Sequence, residues 1–346
     1  MSGISVEELI VPASADSPDA ADFAASVGIM ADSELEGYGH DELRMTPAEA
    51  LPFWQDPASP RRLFGVRIDG ELVARGMVDH LVPDPATHWA MVNVLPAFRG
   101  RGIGSALTDH IEQVARDGGA TRIISYAVAT GDDGDRLPAP TGFGSLPLAS
   151  PGVQFLLHRG YRLEQVVRAS RLALPSTGAL PPVPDDYRLH YWSGHIPVEW
   201  REDMALLLTR MSTDAPTAGL EEPEDVYTVE RVLEIEASND QSPRTDLTAA
   251  VEHVPSGRLA GFTTLAVPAE VNRAVHQDDT LVLREHRGHR LGMLLKIANL
   301  VHLQRERPGH PSVVTFNAEE NRYMLDVNEA VGFEPMGYEG AWRLDL

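Results

Sequence analysis

The chain has 346 residues, 43% of them hydrophobic and 23% charged, which suits a folded protein with more than one core. Its net charge of −22 and its lack of cysteine exclude an electrostatic nucleic-acid binder, disulfides, thiolate metal sites and cysteine nucleophiles. No apolar run reaches the length of a membrane span, and no basic stretch precedes an apolar one at the N-terminus, so a cytoplasmic protein is expected.

In chain order the elements read twice. The first half opens with a short strand, ISVEELIV, and a helical stretch, DFAASVGIMADSEL. Two strands, LFGVRI and ELVARGMVD, then flank Asp69-Gly70, a two-residue hairpin signal. The strand HWAMVNVLP runs into FRGRGIGSAL (98–107), and the helix that follows sets Leu107, Ile111 and Val114 on one face before stopping at Gly118-Gly119. A strand RIISYAV, an insertion at 131–148, a last helix ending in Gly160-Tyr161 and a strand VVRASRLAL complete the half.

A proline-rich stretch (172–189) reads as an extended linker. It predicts an N-terminal domain over 1–174, a linker over 175–185 and a C-terminal domain over 186–346. The second half repeats the order: strand DYRLHYW, helices VEWREDMALLLTRM and VYTVERVLEIEA, a hairpin of TDLTAAVEH and RLAGFTTLAV, and the strand DTLVLRE. It then enters HRGHRLGMLLK (286–296), a helix with Leu294, Ala298 and Val301 together, a strand SVVTFNA, a helix ending in Gly332-Phe333, and AWRLDL. The two loops are in step: Arg99, Gly100, Gly104 and Leu107 match Arg287, Gly288, Gly292 and Leu295, each 188 positions on. A repeat of that length is a duplicated domain rather than a solenoid unit.

A strand that turns through glycines into a helix points several backbone amides at one spot, where the helix dipole adds partial positive charge. An anion-binding nest is the chemistry this predicts. In the second copy Arg284, Arg287, His289, Arg290 and Lys296 gather around the turn, against the acidic trend of the chain. Lys296 is the sole lysine and stands one turn into the helix, either within reach of an anionic ligand or as an incidental surface residue. The arginine bias, with abundant alanine, proline and glycine, suggests a GC-rich bacterial genome. The excess of carboxylates suits a cationic or amine substrate, or serves solubility alone. The histidines show no metal-ligand spacing, and no G-x-S-x-G elbow supports a serine hydrolase. No metal is predicted.

The order of three antiparallel strands before the loop, with Val94, Pro96, Arg99, Gly102 and Gly104 in the first copy and Val282, Arg287 and Gly292 in the second, resembles the GNAT N-acetyltransferase superfamily. The chain is similar to its tandem arrangement in mycothiol-synthase-like actinobacterial acetyltransferases. The second copy departs from the pattern at Arg284, where proline is expected, and at Arg290, where glycine is. The resemblance implies an α/β (α+β) fold of two tandem GNAT-type domains, each a mixed, mostly antiparallel sheet flanked by helices. It implies acetyl-CoA, with its pyrophosphate on the amides of Arg99, Gly100, Arg101, Gly102, Ile103 and Gly104, or of Arg287, Gly288, His289, Arg290, Leu291 and Gly292. The thioester carbonyl would face a strand amide near Leu95 or Leu283, and the acceptor would be a small-molecule amine attacking directly.

The family tyrosine of the last helix is absent: Asn328 and Leu156 stand at its position. The second half keeps Asn317 and Asn321 along the expected pantetheine path, which makes it the expected catalytic half. Asp279, beside Asp278, is the expected base, or else a solvated turn residue. Glu319 and Glu320 are either candidates or first-turn carboxylates. Tyr323 is a replacement acid or a packing residue, and Asp214 an amine anchor or a cap. The competing expectation is an acyl-CoA-binding pseudoenzyme without turnover. Two fused units can replace a homodimer, so a monomer is expected.

Overall fold

The computed structural model describes residues 4–131, 134–176 and 178–346. Asp132 and Asp133 of the insertion and Thr177 of the linker lie outside the described residues. In chain order the elements are β1 (Val6–Leu9), α1 (Ala21–Tyr38), α2 (Pro47–Trp54), β2 (Arg62–Ile68), β3 (Glu71–Asp79), β4 (Thr87–Val94), α3 (Ile103–Asp117), β5 (Arg122–Val128), β6 (Arg136–Pro138), β7 (Ser145–Pro147), α4 (Pro151–His158) and β8 (Arg162–Ala173). They continue with β9 (Tyr187–Ser193), α5 (Arg201–Asp214), α6 (Val229–Asn239), β10 (Thr245–His253), β11 (Arg258–Val267), β12 (Val275–Val282), α7 (Leu291–Glu306), β13 (Ser312–Ala318), α8 (Arg322–Val331) and β14 (Glu334–Asp345).

Two compact units form, and neither is a contiguous half of the chain. The first holds Met1–Val167, Thr217–Pro223 and Gly337–Leu346; the second holds Arg168–Pro216 and Glu224–Met336. The last strand therefore does not close the unit that precedes it. From Gly337 onward β14 lies antiparallel to β5 of the first unit, with Trp342 opposite Ser125 and Glu339 opposite Val128.

In the first unit the strands run β1-β2-β3-β4-β5 and then β14. The β2–β3 turn has Asp69 at φ 51 and Gly70 at φ 86, the paired left-handed backbone that a two-residue hairpin requires. One face of this sheet takes α3 through Leu107, Ile111 and Ala115. Gly76 makes that approach possible, because a Cβ there would sit 2.3 Å from Cδ1 of Ile111. The other face takes α1 and α2 through Phe23, Val27 and Trp54, packed on Leu63, Leu72 and Met77. Thr46 and Glu49 start α2 as a capping box, each side chain bonding the other's amide.

In the second unit the order is β9-β10-β11-β12-β13, then β8, whose residues from Arg168 belong here. Helix α7 covers one face through Leu291, Leu294 and Leu295 against Val251 and Val282. Helix α5 covers the other through Met204 and Leu207 against Phe262 and Leu281. Adjacent residues of β12 thus serve opposite faces, as strand geometry demands. Among the described residues no helix is long and apolar enough to cross a membrane.

Candidate functional site

Each unit contains one parallel strand pair that is joined at its start and parted at its end. In the first, β4 and β5 pair from Thr87↔Arg122 to Trp89↔Ile124 and then separate. In the second, β12 and β13 pair only at Val275↔Val313 and His276↔Val314. Parallel strands that part leave backbone groups of both edges facing a wedge rather than each other.

Register decides which groups face it. The Leu95 amide donates to the Val73 carbonyl at 3.0 Å, and the Leu283 amide to the Ala260 carbonyl at 2.9 Å. Both amides suggested by sequence for the thioester are thus bonded inside the sheet. Antiparallel alternation turns the N–H and C=O of the preceding residues, Val94 and Val282, toward the wedge. The amides open to the wedge are therefore one residue earlier than expected, at two positions the motif already contains.

The loop after each strand is built alike. One turn of 3₁₀ helix, Pro96–Phe98 or Arg284–His286, leads into a glycine at positive φ, Gly100 (73°) or Gly288 (89°). The residue before the helix is left-handed in both: Gly102 at φ 84 and Arg290 at φ 58. Arg290 carries a side chain through a conformation that costs a non-glycine residue roughly 1 kcal/mol. Helical bonding starts with Ala106 donating to Gly102 and Leu294 donating to Arg290. The amides of residues 103–105 and 291–293 are therefore the first-turn donors that helix geometry leaves for an anion. A Cβ on Gly104 would touch Phe155 and Val94 at 3.6 Å, whereas at Gly292 only the Tyr323 hydroxyl comes within 4.0 Å. The second cradle is the more open, and both leave room for backbone to approach a phosphate.

The loop arginines do not reach into these cradles. Arg99 donates from Nε to the Val94 carbonyl and binds Glu36 of α1 through both terminal nitrogens, at 2.7 and 2.5 Å. Arg287 donates from Nε to the Val282 carbonyl, and with Arg284 it engages Asp214 at the end of α5. Asp214 is only 7% exposed as a side chain, so its carboxylate clamps the loop instead of standing free for an acceptor amine. Its place at the last residue of α5 also removes it from an N-cap. Lys296 is not a surface residue: it is 2% exposed, its Nζ is 5.7 Å from the centre of the Phe333 ring, and burial lowers its pKa to about 7. His289 lies beside Tyr187, whose hydroxyl shares a 3.0 Å hydrogen bond with Nδ1 of His286.

Asp279 and Asp278 sit in a bulge. Thr280 pairs with Thr263 and Gln277 with Leu265, so two aspartates oppose Thr264 alone. Gln277 holds the distortion from inside, donating to the Thr264 carbonyl at 2.7 Å and the Asp279 carbonyl at 3.2 Å. Asp279 shares the α5 face with Leu281 and lies within electrostatic reach of Tyr227. Burial and then Asp246 push its pKa up to about 6. Desolvation among the surrounding protein atoms, with Asp246 and Asp279, pushes Asp278 to about 8 against the pull of Arg244, although its outer surface is exposed. A carboxyl that ionises near neutrality, on the strand that lines the wedge, can take a proton from an amine.

The remaining sequence candidates occupy the far wall. Asn328 is buried and donates from Nδ2 to Oδ1 of Asn317 at 2.6 Å, which ties α8 to β13. Asn321 caps α8, accepting from the Met324 amide. Tyr323 stands at the loop end, over Gly292. Glu319 pairs with Arg168 at 2.6 Å. Sequence reasoning missed Asp246, whose contribution depends on β10 lying two strands from β12. It also missed Glu34, Arg75 and Glu339 of the first unit, described below. Among the described residues no group of histidines and carboxylates has a metal-binding arrangement.

A family profile of GNAT acetyltransferases matches residues 29–136. No curated protein matches in sequence. Among solved structures, the chain is similar to a tandem GNAT protein from the clavulanic acid biosynthesis pathway, at 24% identity and a TM-score of 0.75 over 99% of this chain and 98% of that one. It is also similar to a GCN5-related N-acetyltransferase from Sphaerobacter thermophilus, at 16% identity and a TM-score of 0.66 over 99% and 95%. Residues 29–136 therefore match the GNAT acetyltransferase profile, and the chain has the tandem GNAT fold.

Proposed function

We propose that the chain moves an acetyl group from acetyl-CoA to the amine of a small molecule, and that the second unit performs the chemistry. The observation that carries this reading is Asp279: a carboxyl with a pKa of about 6, in a bulge on the strand that ends at the wedge-facing Val282 amide. Acetyl-CoA supplies an activated acetyl thioester. The first-turn amides of Leu291, Gly292 and Met293 hold its pyrophosphate, with Gly288, His289 and Arg290 shaping the approach and Tyr323 beside it. Asn317, Asn321 and Asn328 keep the β13 and α8 wall polar. The Val282 amide stabilises negative charge on a carbonyl oxygen placed in the wedge.

Asp279 takes a proton from the acceptor's ammonium on the α5 face, where it and Asp246 favour a cation. The freed amine attacks the thioester carbonyl, the C–S bond breaks, and CoA leaves as a thiolate that takes up a proton from solvent. In the first unit, Val94 and the 99–104 loop offer a second cradle for the same cofactor. A single cytoplasmic chain is sufficient for this arrangement. The test is thiol release from acetyl-CoA across a panel of amines, with wild type and Asp279→Asn. Turnover lost in the variant supports the reading. Tight acetyl-CoA binding with no turnover on any amine would instead identify a binding module without catalysis.

A further inference from the structure

The first unit gathers buried polar side chains on the side of its sheet away from α3. Arg75 of β3 is 1% exposed, and its Nε has no hydrogen-bond partner among the described residues. Asn93, directly opposite on β4 and so on the same face, has a buried Oδ1 that is equally unpartnered. Glu34 of α1 has a buried, unpartnered Oε2 and lies within electrostatic reach of both Arg75 and Glu339. Glu339 of β14 accepts from the Tyr38 hydroxyl at 3.1 Å.

A buried guanidinium and a nearby carboxyl normally close on each other, because leaving either unpaired is costly. Here they do not reach ion-pair distance. Burial, and then the charge of Glu339, raise Glu34 to about 7, and burial raises Glu339 to about 7 against the hydrogen bond from Tyr38. Burial lowers Arg75 to about 10. Glu34 and Glu339 are partly open to solvent, while Arg75 is not. The guanidinium is the inner member of the cluster and the two carboxyls its outer members.

We propose that this cluster binds a free α-amino acid, carboxylate on Arg75 and ammonium between Glu34, Glu339 and the Asn93 oxygen. A zwitterion is the small ligand whose two charges, held a few ångströms apart, satisfy both the inner cation and the outer anions. A simple amine leaves Arg75 unpaired, and a simple carboxylate cannot pass the two outer carboxyls without a compensating charge. The site stands on the first unit's own residues and does not depend on acetyl transfer in the second.

Isothermal titration calorimetry on the full chain, without acetyl-CoA, tests it with three probe sets: the standard α-amino acids, their carboxamides, and their N-acetyl forms. At least one free amino acid should bind, with its carboxamide and N-acetyl form weaker by tenfold or more. Glu34→Gln and Arg75→Met should each abolish binding. Since Arg75 is buried and its loss could disturb folding, Glu339→Gln at a partly open outer position provides a second reading, with binding weakened at unchanged Tm. Heat from no amino acid, carboxamides that bind as well as free acids, or a Glu339→Gln variant that binds like wild type would each overturn the proposal. Because acetyl-CoA is left out, failed turnover elsewhere cannot produce any of these outcomes.

Discussion

Arg99 and Arg287, 188 positions apart, make the same bond: each donates from Nε to the carbonyl five residues upstream, Val94 at 2.9 Å and Val282 at 3.0 Å. Each then completes an ion pair with the helix over the sheet, through Glu36 or Asp214. The duplicated arginine is a brace that fixes the turn against the wedge strand, and its charge is largely consumed in doing so. Replacing it should therefore loosen cofactor binding through geometry. Arg287→Met is expected to raise the Kd for acetyl-CoA at the second cradle about 5- to 10-fold, the loss of roughly 1 kcal/mol of hydrogen bonding. Asp214→Asn should show a smaller effect in the same direction, read by the same calorimetric titration.

The two cradles should respond unequally to an acidic side chain. Gly292→Glu puts a carboxylate and its bulk where first-turn amides await an anion, and acetyl transfer should fall below detection. Gly104→Glu should cost much less turnover, since the chemistry is placed in the second unit. Steady-state assays of both variants, checked for folding by circular dichroism, decide this. The reverse pattern would move the reaction to the first unit.

Asp279 sets a pH limb. Its folded pKa is raised, so the carboxyl is protonated and idle well below pH 6 and becomes a base as pH rises through about 6. The rate should climb across that window, and the apparent value belongs to the coupled set with Asp278 and Asp246. Asp279→Asn should lower kcat by about 10² to 10⁴ and remove the limb. A limb that persists unchanged in the variant would assign it to another group.

Lys296 predicts a stability gain on removal. Its pKa is depressed to about 7 from the ordinary lysine value, by burial. The unfolded chain binds the extra proton between those two values, so the lysine's penalty is full below pH 7 and fades as pH rises toward about 10.4. Lys296→Met, of similar shape, should raise stability at pH 6 by a few kcal/mol and by little at pH 10. Urea melts of both proteins at the two pH values measure the difference. Equal gains at both would trace the effect to packing.

Much of the architecture was readable because it is local. Asp69-Gly70 specified its hairpin, and both loops announced a strand turning into a helix. Helix α2 was missed although Thr46-Pro47-Ala48-Glu49 spells a capping box, a signal overlooked among flanking loop residues. The burial of Lys296 also had a signal: LGMLLKIANL is apolar nearly all round, the mark of a covered helix. Other features leave no local trace. Which unit receives β14 depends on sheet neighbours, and the cluster of Glu34, Arg75 and Glu339 draws on a helix and two strands spread over three hundred positions. The shift from Leu283 to Val282 is a matter of hydrogen-bond parity, set only once β11 and β12 are in register. Asp214 was legible as polar and acidic, but its partners Arg284 and Arg287 lie some seventy residues on.

The placement of Gly337–Leu346 in the first unit also orders events in time. A ribosome delivering roughly 5–20 residues per second finishes β1 to β5 long before it makes their last partner. For many seconds the nascent first unit must carry β5 without the strand that belongs beside it, an open edge of the kind that invites mispairing. Folding of the beginning of this protein is completed by its end.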